Sequence, residues 1–188
     1  ASSGSMCAAI GRGMRRRHPP IPRLWLMTDA RMGEGLWTAL KRLPRGSGVV
    51  FRHYALAKDE RRALWRKVVK VARKRNLVLV RSGESLGFDA GNVHGRARSL
   101  RTTLRTAPAH SRREAIAAVR GGAQALFVSP VFATRSHADI RPLGRVRFGL
   151  LVRGLGVPVI ALGGMDQRRA RSLGGFHVHG WAGIDAWL

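Results

Sequence analysis

An α/β fold, the (β/α)8 TIM barrel, compact and with some helices shortened, is what this sequence predicts. Three observations predict it. Short apolar runs alternate with helical patterns from Leu24 to Leu188, which implies parallel strands joined by right-handed crossovers. The runs are continuous in Leu, Val and Ala, as strands covered on both faces are. About eight such units fit the chain, the number that closes a parallel sheet. An open doubly wound sheet fits less well, because the Gly163-Gly164 turn follows a late strand instead of the first.

Residues 1–23 are polar, basic and Pro-rich and read as a disordered arm, with Ala1 to Ser5 before Met6 as a cloning remnant. The single barrel domain takes residues 24–188. Its first strand is Leu24–Thr28, followed by a helix over Glu34–Leu43 and a second strand at Gly48–Phe51. Lys58–Arg75 is the clearest helix: Leu64, Val68, Val71 and Ala72 recur at helical spacing, with Arg and Lys on the other face. Leu77–Val80 is the third strand. Gly91–His94 and Leu104–Thr106 make short fourth and fifth strands, with little helix between them. Ser111 and Glu114 have capping-box spacing and open a helix that runs to about Gly121. Ala125–Val128 is the sixth strand, Ser129–Leu143 a loop, and Gly144–Leu155 a helix. Pro158–Leu162 is the seventh strand, broken by Gly163-Gly164, and Asp166 caps a helix that ends near Gly174. Phe176–His179 reads as the eighth strand and Gly183–Leu188 as a last, stunted helix.

The 188 residues include 35 Lys and Arg against 10 Asp and Glu, a net charge of +25. Only Lys41, Lys58, Lys67, Lys70 and Lys74 are lysines; the other cations are arginines, spread along the chain and not gathered in one stripe. This balance favours anionic partners, phosphorylated small molecules above all. Aromatics are 6% and do not alternate with basic residues, so a nucleic-acid surface is not indicated. A hydrophobic fraction of 45% excludes wholesale disorder. No apolar run approaches the roughly 18 residues of a membrane span. Arg15-Arg16-Arg17 followed by Pro19, Pro20 and Pro22 does not make a signal peptide. The lone cysteine, Cys7, excludes a disulfide framework and a cysteine zinc cluster. A cytoplasmic setting is expected, and the oligomeric state is left open.

In a barrel the ligand sits on the loops that follow the strands. Those loops carry Asp29, Arg52, Arg81, His94, Arg98 and His110 in the first five units. Gly163-Gly164 lets an anion approach backbone N–H groups, and the turn at Gly183 offers further N–H groups at a positive helix end. The turns after strands seven and eight are where barrels commonly hold a phosphate. Residues 129–137 form a polar loop able to close over a ligand, with His137 best placed in sequence for acid–base work. His177 and His179 would share one strand face and, with His94, could make a zinc site; no carboxylate or thiolate accompanies them, so no metal site is expected there.

Two stretches in combination carry a resemblance: Ser129-Pro-Val-Phe-Ala-Thr-Arg-Ser-His137 with Pro142-Leu-Gly144, and Pro158-Val-Ile-Ala-Leu-Gly-Gly-Met165. From Leu24 to Leu188 the chain resembles the thiamine phosphate synthase and thiazole tautomerase (TenI-like) superfamily of (β/α)8 barrels, as a divergent member. The synthase joins hydroxymethylpyrimidine diphosphate to thiazole phosphate, releasing diphosphate, with Mg2+. The resemblance implies that Arg52 contacts the diphosphate and that Thr134 and Ser136 are the hydroxyls of the strand-six loop. It implies Gly164 as a backbone phosphate ligand and Trp181-Ala182 as the phosphate turn. The chain departs from the pattern where the family has Asn-Asp after strand three, here Arg81-Ser82, and where a further aspartate follows strand four, here Arg96-Ala97-Arg98. His137 replaces a lysine, and Pro130 stands where the tautomerase has a histidine. The carboxylates that would hold Mg2+ are thus missing, and Arg52, Arg81 and Arg98 are expected to replace its charge against a diphosphate. Three functions stay open, in this order: a synthase, a degenerate relative that binds a phosphorylated thiazole or thiamine ligand without turnover, and a nucleic-acid binder.

Overall fold

The computed structural model describes residues 20–86, 91–95, 103–134 and 140–188. Eight parallel strands close on one another in chain order. They are β1 (Leu24–Met27), β2 (Gly48–Phe51), β3 (Val78–Ser82), β4 (Asn92–His94), β5 (Arg105–Ala109), β6 (Ala125–Val128), β7 (Val159–Ala161) and β8 (Gly180–Gly183). The helices are α1 (Gly35–Arg42), α2 (Lys58–Arg75), α3 (Arg112–Arg120), α4 (Gly144–Val152) and α5 (Gln167–Arg171). The predicted (β/α)8 barrel is the observed fold.

Alternate residues of each strand face opposite sides, so the strands fill two cores. Trp25, Met27, Val50, Val80, Phe127, Ile160 and Ala182 meet inside the barrel. There the rings of Trp25 and Phe127 pack edge to face, 5.1 Å between centroids. Leu26, Val49 and Phe51 face outward under α1 and α2, against Leu36, Leu40 and Val68. Leu126, Val128, Val159 and Ala161 face outward on the other side, against Phe148 and Leu151 of α4. The apolar stripe read in α2 is the face it buries.

Two predicted caps are present. The Ser111 hydroxyl accepts from the Glu114 N–H at 3.2 Å, and the Glu114 carboxylate reaches back to the His110 N–H at 2.9 Å. Asp166 accepts from the Arg169 N–H at 2.7 Å and opens α5.

The C-terminal end departs from the sequence reading. Phe176–His179 is not a strand. Gly174–Phe176 is a 3-10 turn, and His177 sits at φ 54°, in the left-handed region. Strand eight is Gly180–Gly183, which pairs with β1 through Leu24 and Trp181, Trp25 and Ala182, Leu26 and Gly183. The expected final helix is only a 3-10 turn, Asp185–Trp187. Phe176 and Val178 are apolar because they pack under α4 and α5, not because they pair in the sheet. Gly180 is the residue that lets β8 close: a Cβ there would lie 2.0 Å from the Arg23 carbonyl oxygen.

Of the expected arm, residues 1–19 lie outside the described residues. Residues 20–23 run against the barrel: Trp25 Nε1–H donates to the Pro22 carbonyl at 2.7 Å, and the Trp181 N–H donates to the Arg23 carbonyl at 2.8 Å.

Many arginines are spent on the fold. Arg62 Nε donates to the Leu86 carbonyl at 2.8 Å, Arg75 Nη2 to that of Leu43 at 2.8 Å, and Arg112 Nη1 to those of Leu151 and Arg153 at 2.9 and 2.8 Å. These guanidiniums satisfy loop and helix-end carbonyls.

Candidate functional site

The mouth of the barrel holds a cavity of about 560 Å³. Its floor and walls come from the loops after β2, β5, β6, β7 and β8, as the fold requires. On one side stand Gly163, Gly164, Asp166 and Arg169 after β7, with Gly183 to Ala186 at the end of β8. Arg52 after β2, His110 after β5 and Ser129 and Thr134 after β6 line the rest. Ala182, Leu162, Ile184 and Pro130 add an apolar lining.

The glycines are needed for packing as well as for openness. Gly163 has φ 93° and Gly164 φ 60°. A Cβ on Gly163 would lie 2.6 Å from Pro130 Cα, and one on Gly164 would lie 2.3 Å from the Ala133 carbonyl oxygen. The β6 loop is tied over this turn by two bonds, Val131 N–H to the Leu162 carbonyl at 2.9 Å and Phe132 N–H to the Gly163 carbonyl at 3.1 Å. Neither the Gly163 nor the Gly164 N–H donates a hydrogen bond among the described residues. Side-chain-free, unbonded amides of this kind suit an oxyanion.

Arg52 is placed by β1 as much as by β2. Its backbone N–H donates to Thr28 Oγ1 at 3.0 Å, and its Nη2 pairs with Asp29 Oδ2 at 3.2 Å. Its Nε is buried and has no hydrogen-bond partner among the described residues. Asp29 also receives the Arg31 Nε at 2.9 Å. Burial pushes the Asp29 carboxyl up, but the hydrogen bonds from Arg31 and the charges of Arg31 and Arg52 outweigh it and hold the carboxyl below its ordinary range.

Three histidines take different roles. His53 is buried, stacked on Phe51 and bonded to Thr28 Oγ1. His94 lies inside the barrel against Phe127, its Nδ1 2.9 Å from Thr106 Oγ1; burial, helped by the Arg52 charge, brings its pKa down to about 4. His110 lines the cavity, with Nδ1 2.8 Å from the Ser129 carbonyl. A carbonyl only accepts, so Nδ1 carries the proton and Nε2 of the neutral ring is left as an acceptor.

The structure brings Arg52, Thr134, Gly163, Gly164, Ala182 and Gly183 to one cavity. Arg81 is not among them. It alternates with the inward Val80 and so leaves the barrel's outer face, where its Nη1 holds the carbonyls of Gly83 and Glu84 at 3.1 and 2.5 Å. Trp181 is not at the mouth either. It lies mid-strand, points outward and stacks on Trp187, 5.2 Å between centroids and 4° from parallel. Ser136, His137, Arg96 and Arg98 lie outside the described residues. His177 and His179 do not share a strand face, and His179 Nε2 lies 2.7 Å from the Ile21 carbonyl. The charged cavity residues that the sequence reading did not place at the mouth are Asp166, Arg169 and Asp185; His110 it placed there without a role. A correct placement of β8 would have pointed to Asp185, because it puts residues 184–186 on the loop that follows.

A magnesium ion does not fit the described residues. Asp29 is occupied by two arginines, and Asp166 caps α5. Among the described residues no three His, Cys, Asp or Glu side chains come together. Hard cations need several such oxygens.

The fold is that of a (β/α)8-barrel protein with a cavity on its late loops. The chain belongs to the family described as thiamine monophosphate synthase, whose model matches residues 25–187. It is a thiamine-phosphate-synthase-like protein, of a class that serves thiamine biosynthesis. A provisionally named thiamine-phosphate synthase 2 of Aquifex aeolicus is 28% identical over 183 residues, covering 89% of this chain and 98% of that protein. A thiamine-phosphate synthase of Chloroflexus aurantiacus is 34% identical over 89 residues, 47% of this chain and 41% of its own length. The structure of a thiamine phosphate pyrophosphorylase from Pyrococcus furiosus superimposes with a TM-score of 0.69 at 21% identity, covering 87% of this chain and 86% of that one. No helix among the described residues is long and apolar enough to cross a membrane.

Proposed function

We propose that the protein condenses hydroxymethylpyrimidine diphosphate with thiazole phosphate in the mouth cavity and releases diphosphate, as a cytoplasmic enzyme whose partners are these small phosphorylated molecules. One observation carries the reading: Arg52 and the free amides of the Gly163-Gly164 turn, far apart in sequence, face one cavity. The amides at the ends of β7 and β8 receive the thiazole phosphate. Arg52 receives the diphosphate, on which negative charge grows as the carbon–oxygen bond breaks. Thr134 contributes a hydroxyl, with Ser136 two positions on in sequence, and His137 takes the acid–base role. In this reading no carboxylate of the described residues holds Mg2+.

The missing metal ligands and the outward Arg81 favour a second reading, in which the same cavity binds a phosphorylated thiazole or thiamine ligand without turnover. Incubation with both phosphorylated precursors, with Mg2+ and with chelator, separates the two. Thiamine phosphate formed in both conditions supports the first reading. Formation only with Mg2+ overturns the metal-free part. Thermal stabilisation by thiazole phosphate without product establishes the second.

A further inference from the structure

We propose that Thr28 and His53 are positioning residues that hold Arg52 over the cavity. The inference rests on the reading of Arg52 as the diphosphate contact. Phe51 is the last residue of β2, and its side chain faces the outer core. Two residues on, His53 adopts φ 24°, a left-handed conformation uncommon outside glycine and costly unless surroundings enforce it. The surroundings do. The His53 ring stacks on Phe51, 4.9 Å between centroids and 20° from parallel, and its Nδ1 lies 3.0 Å from Thr28 Oγ1. Thr28 is completely buried and His53 is 6% exposed.

The same Thr28 oxygen accepts the Arg52 N–H at 3.0 Å. The proton and the second lone pair of the same hydroxyl remain for His53 Nδ1, 3.0 Å away. Burial and the positive charges of Arg61 and Arg52 lower the His53 pKa, against the pull of Asp29, which favours the neutral ring. A single hydroxyl thereby links the ends of β1 and β2 and fixes the backbone from which the Arg52 side chain departs. His53 is folded back to β1, so Arg52 alone of the three residues after Val50 reaches the cavity.

The test is calorimetric titration of the full chain with inorganic diphosphate, alongside thermal unfolding. Thr28→Val and His53→Asn are each expected to weaken binding about tenfold, the scale of one buried hydrogen bond. Asparagine is chosen at 53 because it tolerates a left-handed backbone. Thr28→Ser keeps the hydroxyl and is expected to bind within about twofold of the parent. In an Arg52→Ala background, Thr28→Val is expected to cost no further affinity, since nothing remains to be positioned. A Thr28→Val chain that melts earlier yet binds diphosphate within about twofold of the parent overturns the positioning role. So does an equal loss in the Arg52→Ala background. Unchanged binding in Arg52→Ala alone overturns the diphosphate reading itself, and so separates the two failures.

Discussion

Arg52 and Asp29 form an ion pair across the ends of β2 and β1, Nη2 to Oδ2 3.2 Å, with about a fifth of each side chain exposed. The pair means that the Asp29 carboxylate beside Arg52 is already engaged. Its consequence is a pH dependence. The Asp29 carboxyl is lowered in the fold, so its stabilisation is present above the ordinary carboxylate pKa of 3.8 and fades as pH falls through the lower folded value. Asp29→Asn should therefore lose about 1 kcal/mol at neutral pH and nothing once the carboxyl is protonated. Urea unfolding of both chains at pH 7 and in acid measures the difference.

His94 titrates in the opposite sense to a surface histidine. Its pKa of about 4 lies below the ordinary 6.5, so the unfolded chain binds the proton first. Stability should fall as pH drops from about 6.5 towards 4 and level off below, by on the order of 3 kcal/mol across the window. His94→Gln should flatten that slope in denaturant titrations run at stepped pH.

Arg81→Ala tests the correction at β3. Its guanidinium holds the Gly83 and Glu84 carbonyls on the outer face. The substitution should lower stability by about 1–3 kcal/mol, the scale of a charged hydrogen bond, and leave diphosphate affinity unchanged. A large loss of affinity with normal unfolding would return Arg81 to the site.

Gly164→Ala should be severe in both respects. The added Cβ meets the Ala133 carbonyl at a left-handed position. The steric cost alone is roughly 1–3 kcal/mol. Displacing the β6 loop should also abolish thermal stabilisation by inorganic phosphate. An alanine variant that still gains stability from phosphate would show that the turn does not carry the anion.

How far the site was legible follows from individual residues. The place of Gly163-Gly164 and Arg52 on the cavity was readable, because residues at strand ends fall at the mouth once the barrel is assumed. Arg81 was not. Its meaning depends on a two-residue period whose phase is set by which neighbour, Val80 or Arg81, enters the barrel. A slip of one residue inverts the face. Trp181 was misplaced for a related reason: Phe176 and Val178 alternate like a strand, whereas the Gly180-Trp-Ala-Gly183 strand has few strand-forming side chains.

Local chemistry along the chain determined the barrel, most element boundaries and the Ser111 and Asp166 caps. Apolar periodicity, capping residues and charge act over a few residues and need no partner to be recognised. Tertiary structure alone decided which strand closes against β1, which arginines meet carbonyls instead of the cavity, and how Thr28 reaches Arg52. Each of these depends on contacts between segments distant in sequence, whose geometry is set only when the ring of strands has closed.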